Sequence, residues 1–196
     1  MPPEFTLRNT IIHLLGAPGT GKYTIAQEMR GLCDIRLVDN HLINNPLFSL
    51  VRLDGKTKLP PRIWDNIGMI WDAVADTMIH ISPREFSFIL TNALFDHDDE
   101  DRKHMLEMKA VADARGGRYV PVRLIISDVA EHVARITAPG REARMKETDA
   151  TKPAYYAGRE VLKTRLATEL TLDVTALSPL AAARAVLQHA QSAQTI

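Results

Sequence analysis

Gly16-Ala17-Pro18-Gly19-Thr20-Gly21-Lys22-Tyr23-Thr24 is the stretch on which the reading of this chain turns. Its spacing fits G-x-x-x-x-G-K, and Tyr23 then stands where Ser or Thr is expected. The largely apolar run Ile11-Ile12-His13-Leu14-Leu15 precedes it, and a helical pattern from Thr24 to Leu32 follows. Strand, glycine loop and helix in that order are what a phosphate-binding loop requires. Glycines let the backbone turn tightly and aim its N–H groups at an anion. The next helix adds its positive end, and Lys22 can reach terminal phosphates as a point charge. With glycine near about 7% of residues, the three fixed positions arise by chance in roughly one chain in twenty of this length. The flanking elements lower that further, so the stretch reads as a nucleotide site rather than a structural turn.

The rest of the chain sets bounds on this reading. A length of 196 residues suits one domain with a substantial core. Lys+Arg and Asp+Glu both number 24, so no overall charge favours nucleic acid or an anionic membrane. A bound nucleotide needs only local positive charge. Cys33 is the sole cysteine, which excludes an intrachain disulfide, and it reads as a small buried residue on the first helix. The start, Met1-Pro2-Pro3-Glu4-Phe5, lacks signal-peptide regions, and no apolar run approaches membrane length. The expected location is cytoplasmic.

Along the chain, strands are expected at Thr10 to Leu15, Ile35 to Val38, Phe86 to Leu90, Tyr119 to Ile126 and Leu170 to Val174. The continuous apolar character of the first suggests burial on both faces. Asn40 to Pro46 reads as polar and turn-prone, opening a brief helix around Leu47 to Val51, and Leu53 to Lys56 reads as a turn. Pro60-Pro61 begins a long helix whose stripe of Ile63, Trp64, Ile67, Ile70, Trp71, Val74 and Met78 suits a core face. The acidic run Asp96 to Asp101, with His97, could suggest a metal, but reads better as the cap of a helix reaching Arg115. Ser127 or Asp128 caps a helix to Ile136, and Ser178-Pro179 opens the last one. A further helix is expected over Ala157 to Thr168. Between these, Thr137 to Tyr156 is polar, carries Pro139-Gly140 and several basic residues, and reads as a mobile flap.

This βα succession predicts an α/β fold: a five-stranded parallel sheet with helices on both faces. Residues 1–196 are expected to form a single domain, with a helical insert at 40–82 and a mobile flap at 137–156. Ligands of such sheets lie beyond the carboxyl ends of the strands, where the loop, Asp39, Thr91-Asn92, Ser127-Asp128 and Thr175 fall.

The whole chain resembles the small P-loop kinases, a group that includes nucleoside monophosphate kinases, shikimate and gluconate kinases, and antibiotic phosphotransferases. The glycine loop carries the most specific match. Arg135-Ile136-Thr137-Ala138-Pro139-Gly140-Arg141 looks like the lid signature, and Asp173-Val174-Thr175 with Ser178-Pro179 is similar to the last strand and final helix. The resemblance implies an ATP-dependent phosphotransferase acting on a small-molecule acceptor, a nucleoside, nucleotide, sugar-acid or antibiotic hydroxyl. Gly16, Ala17, Pro18, Gly19, Thr20, Gly21, Lys22, Tyr23 and Thr24 would hold the nucleotide phosphates, with Thr175 also on the nucleotide side. Arg135 would lie against adenine or clamp the nucleotide, and Arg141 with Arg144 would reach the transferring phosphoryl group; a solvated face is the alternative for these arginines.

Group members that phosphorylate a hydroxyl often place an acidic residue after the second strand, and Asp39 stands there. It would accept the hydroxyl proton, orient the acceptor or hold metal-bound water, unless it merely caps the following helix. His41, Asn44 and Asn45 could bond the acceptor, and Arg52 and Arg62 could meet an anionic one. Two departures stand out. The loop hydroxyl normally binds Mg²⁺, and the Tyr23 phenol is too long for that place while Thr24 comes one residue late. Asn92 also stands where many relatives carry an acid. Magnesium binding is therefore expected to be weakened. A nucleotide-binding module or sensor with little catalysis is the alternative reading, and a partner-directed ATPase or GTPase ranks behind it.

Overall fold

The computed structural model describes residues 3–52, 59–141 and 145–194. Five strands, β1 (Thr10–Leu15), β2 (Ile35–Asp39), β3 (Ser87–Asn92), β4 (Arg118–Ile125) and β5 (Leu170–Asp173), form one sheet in the order β2-β3-β1-β4-β5. Every pairing is parallel, so all carboxyl ends lie on one edge. β1 sits in the middle, and all six of its residues are buried, which is why its sequence is nearly continuous in apolar side chains.

Alternation along β1 sorts the core into two layers. Ile12 and Leu14 pack with Ile25 and Met29 of α1 (Lys22–Leu32) and with Val186 and Leu187 of α7 (Pro179–Ser192). Ile11 and Leu15 pack on the other face with Trp71 of α3 (Pro61–Asp76) and Met105 and Met108 of α4 (Asp99–Ala114). The helices between these are α2 (Asn40–Phe48), α5 (Val129–Ile136) and α6 (Lys152–Ala157), and a π-helical turn, Thr77–Ile81, extends α3. Three starts follow the caps expected from sequence. Asp98 accepts from Asp101 N, Asp128 from Ala130 N and Glu131 N, and Ser178 from Ala181 N. The acidic run thus caps α4, and no metal-holding group of acidic, histidine or cysteine side chains occurs among the described residues.

Four expectations differ from the structure. Asn40 to Pro46 is not a turn: α2 starts at Asn40 and contains Pro46. Proline there removes one hydrogen bond, to the carbonyl of Leu42, a residue 63% exposed where water can replace it. The helix expected over Ala157 to Thr168 is absent, and α6 precedes it. The Glu169 carboxylate instead accepts from Thr164 Oγ1 at 2.6 Å and Arg165 N at 3.2 Å, and Arg165 takes a left-handed φ of 59°. Such side-chain bonds to the backbone compete with helix formation. Trp64 leaves the core stripe and is 52% exposed, edge-on to Phe48 of α2. Cys33 is buried but follows α1 at its C-cap. The turn expected at Leu53 to Lys56 lies outside the described residues.

Candidate functional site

The loop between β1 and α1 is built by steric necessity at two glycines. Gly19 has φ 95°, and a Cβ on it would stand 2.9 Å from the His132 ring. Gly21 has φ 85° and hands the chain to α1 with no side-chain cap, so the first N–H groups of that helix remain available to an anion. Gly16 N–H donates to Asn92 O, tying the loop to the end of β3. Thr20 Oγ1 closes the loop on Ala17 O at 2.9 Å.

Lys22 Nζ donates to Gly16 O at 2.6 Å and Ala17 O at 3.0 Å, so the side chain arches back over the loop. Burial pushes its pKa down to about 7; Asp39 opposes the shift, and the nearby charges of Lys146 and Arg141 add to it. Three cations therefore crowd one place, the arrangement a polyphosphate would relieve.

Two cavities meet at Gly19, Gly21 and Thr24 of the loop. The larger, about 440 Å³, is lined by Gly19, Thr20, Gly21, Thr24, Arg135, Pro139, Gly140, Arg141 and Lys146, with Val174, Leu177 and Pro179 on the β5 side. Ligand pockets commonly span about 300–1,000 Å³. The smaller, about 190 Å³, is lined by Pro18, Lys22, Tyr23, Asp39, Asn40, His41, Ala93, Arg141, Lys146 and Glu147. Gly19, Gly21, Thr24, Arg141 and Lys146 line both. Gly16 and Ala17 line neither and act through their carbonyls.

Asp39 ends β2 and is 4% exposed. It occupies the N-cap position of α2, yet its side chain makes no cap bond. Thr91 of β3 does that work: its hydroxyl accepts from Asn40 N at 3.2 Å and donates to the Asp39 carboxylate. That leaves the carboxylate at the wall of the smaller cavity. His41 lines the same wall, pairs through Nδ1 with Asn45 Oδ1 at 3.1 Å, and has its pKa lowered by burial. Asn44, Arg52 and Arg62 line neither cavity.

Arg135 is held by Glu131 at 2.7 Å and donates to Val174 O and Thr175 O, both at 2.8 Å, which spreads its guanidinium along the larger cavity. Thr175 does not line that cavity. Its hydroxyl accepts from Ser127 N and donates to Asp173, joining β5 to the start of α5. Arg141 Nε donates to Glu147 O at 3.0 Å, and burial lowers its pKa. Arg144 lies outside the described residues.

Sequence reasoning missed His132. Its Nε2 lies 2.6 Å from Pro18 O, and its ring stacks on Tyr156 of α6, which stacks in turn on Phe95. The bond to Pro18 joins residues 114 positions apart, and no local pattern announces it or the two stacks.

The residues at the loop offer little to a magnesium ion. The Tyr23 hydroxyl accepts from Gln27 Nε2 at 2.7 Å, one turn along α1, and so points away from the loop. Asp39 supplies one carboxylate, already engaged by Thr91. The direct loop ligand that a P-loop hydroxyl gives a magnesium ion is therefore not provided.

No protein-family model matches the chain, and no curated protein matches it. Solved structures do. A gluconokinase from Sinorhizobium meliloti 1021 superposes with TM-score 0.62 at 9% identity, covering 96% of this chain and 97% of that one. The tunicamycin resistance protein of Deinococcus radiodurans gives 0.58 at 18% identity, with 96% of each chain covered. Shikimate kinase from Aquifex aeolicus vf5 gives 0.52 at 14%, covering 94% and 98%. At such identities the likeness concerns the fold, and it runs over nearly the full length of both partners. With an all-parallel sheet and a glycine loop at the carboxyl end of its central strand, this chain has the fold of the small P-loop kinases.

Proposed function

We propose that the protein is an ATP-dependent kinase that transfers the γ-phosphoryl group to a hydroxyl of a small molecule of nucleoside, nucleotide, sugar-acid or antibiotic type. The observation that carries this is the pair of cavities meeting at the glycine loop, with Arg141 and Lys146 lining both and Lys22 and Asp39 lining the smaller. The larger cavity takes the nucleotide, with Arg135 along it and the loop N–H groups on its phosphates. The smaller takes the acceptor. Residues 40–82 serve as the acceptor-side helical insert, which reaches this cavity through Asn40 and His41 of α2, and residues 137–156 act as the lid.

In the reaction the acceptor oxygen bonds to the γ-phosphorus while the bond from that phosphorus to the ADP oxygen breaks, and the hydroxyl proton passes to Asp39. Lys22 and Arg141 neutralise the charge on the equatorial oxygens, where most of the catalysis of phosphoryl transfer arises. A positioned base of this kind contributes about 10²–10⁴-fold. ATP supplies the group transferred, and the lid excludes water that would compete with the acceptor.

The test is a screen of hydroxyl acceptors with γ-labelled ATP, paired with Lys22→Ala. Label is expected to reach one acceptor class with the parent protein, and Lys22→Ala is expected to lose that transfer together with ATP binding. Binding of ATP with no transfer to any acceptor would favour a nucleotide-binding module instead.

A further inference from the structure

The kinase reading leaves Tyr23 unexplained, and the segment facing it supplies the explanation. The Tyr23 phenol is turned down α1 to Gln27, and the residue lines the smaller cavity. Over that ring stands the ammonium of Lys146, 4.4 Å from the centroid. A cation this close to an aromatic face is attracted by the ring quadrupole, more strongly where water is excluded. Lys146 N–H also donates to Arg141 O at 3.1 Å, while Arg141 Nε donates to Glu147 O. These bonds couple the backbone positions of the two cations that line both cavities. The charge of Lys146 is felt at the loop, since it weakens the hold of Lys22 on its proton. The residue that removes the metal-binding hydroxyl is thus the one that receives a second lysine.

Resting on the kinase reading, we propose that Lys146, docked on the Tyr23 ring, is a phosphate-binding residue at the β- and γ-phosphates, and that nucleotide binding is consequently only weakly dependent on divalent metal. A lysine is a strongly hydrated point charge that contacts phosphate oxygens without fixed geometry, so it can supply positive charge there through a flexible stem. The Tyr23 ring limits the freedom of that stem and thereby the entropy lost when phosphate arrives. A Ser or Thr at position 23 would recruit a metal and leave the ammonium without its aromatic face.

The experiment is ATP affinity by calorimetry for the full chain in excess EDTA and in millimolar magnesium, with no acceptor present. The parent is expected to bind about equally in both. Lys146→Ala should lose about tenfold or more in EDTA, with part of the loss recovered in magnesium. Tyr23→Ala should behave like Lys146→Ala, whereas Tyr23→Phe keeps the ring and should lose less than about threefold. Circular dichroism of each variant accompanies the titrations, and Lys146→Met gives a second removal of the charge that retains an unbranched stem. Equal EDTA affinities for the parent, Lys146→Ala and Lys146→Met overturn the role of Lys146, even where the parent still transfers phosphate. Equal losses in Tyr23→Phe and Tyr23→Ala overturn the docking on the ring. A parent protein that binds no adenine nucleotide in either buffer overturns the kinase reading, and this proposal with it.

Discussion

The glycine loop hangs from strands buried on both faces, whereas residues 137–141 and 145–156 reach the same cavities from polar turns and one short helix. On the loop side, Gly16 meets the backbone of Leu124 and the side chain of Thr20 so closely that a Cβ would stand 2.9 and 2.7 Å from them. On the other side, a Cβ added at Gly140 would meet nothing within 4 Å among the described residues, and the Arg141 guanidinium donates to the Glu147 carbonyl. One wall of the site is fixed by core packing and the other by a few polar and aromatic contacts. A phosphoryl-transfer site needs both kinds, because phosphates must be positioned and yet nucleotide must enter and leave.

The contrast can be broken first at the loop. Gly16→Val is expected to abolish ATP binding and to cost about 1–3 kcal/mol of stability, as overpacking does when the neighbour is backbone. Thermal unfolding together with ATP titration reads both losses. On the opposite wall, Arg141→Ala is expected to lower kcat by about 10²-fold while stability changes by less than about 0.5 kcal/mol. A stability loss at Arg141 matching that at Gly16 would erase the distinction between the walls.

His132 joins the two. Removing its ring in His132→Ala takes away the bond to Pro18 O and the stack on Tyr156. The expected result is about a fivefold weaker KM for ATP, in keeping with about 1 kcal/mol for one lost hydrogen bond. A further effect, confined to acid pH, lies beneath the loop. His13 is fully buried between Tyr119 Oη at 2.6 Å and Asn92 Oδ1 at 2.9 Å, and burial drives its pKa down to about 3 despite the Asn92 bond. The unfolded chain binds that proton below about 6.5 and the folded one does not. Stability from this group is therefore complete above about pH 6.5 and falls by about 1.4 kcal/mol per unit as pH drops toward 3. Denaturant melts of the parent and His13→Asn should show that slope reduced in the variant.

What was legible from sequence follows the same division. The five strands, the loop and the caps Asp98, Asp128 and Ser178 each rest on a local pattern, apolar continuity, glycine spacing or an oxygen one turn before a helix. α2 was not legible, because Asn40 to Pro46 carries turn residues and packing against α3 overrides them. Nor was the irregular stretch after α6, which depends on Glu169 reaching back to Thr164 and Arg165. In the site, Asp39, Lys22, Arg135 and Arg141 could be named as candidates from their places at strand ends and in the lid signature. That Thr91 rather than Asp39 caps α2, that His132 buttresses Pro18, and that Lys146 covers Tyr23 depend on contacts across 52, 114 and more than a hundred positions. Periodicity contains no trace of such pairs.

The central claim is that phosphate is held on the loop and transferred toward Asp39. It is tested most directly by comparing ATP binding and acceptor phosphorylation in the parent and Asp39→Asn. Asparagine keeps an oxygen for the Thr91 hydroxyl but cannot take the acceptor proton. The account predicts ATP affinity within about twofold of the parent and a transfer rate lower by about 10²–10⁴-fold. Undiminished transfer by Asp39→Asn would contradict it.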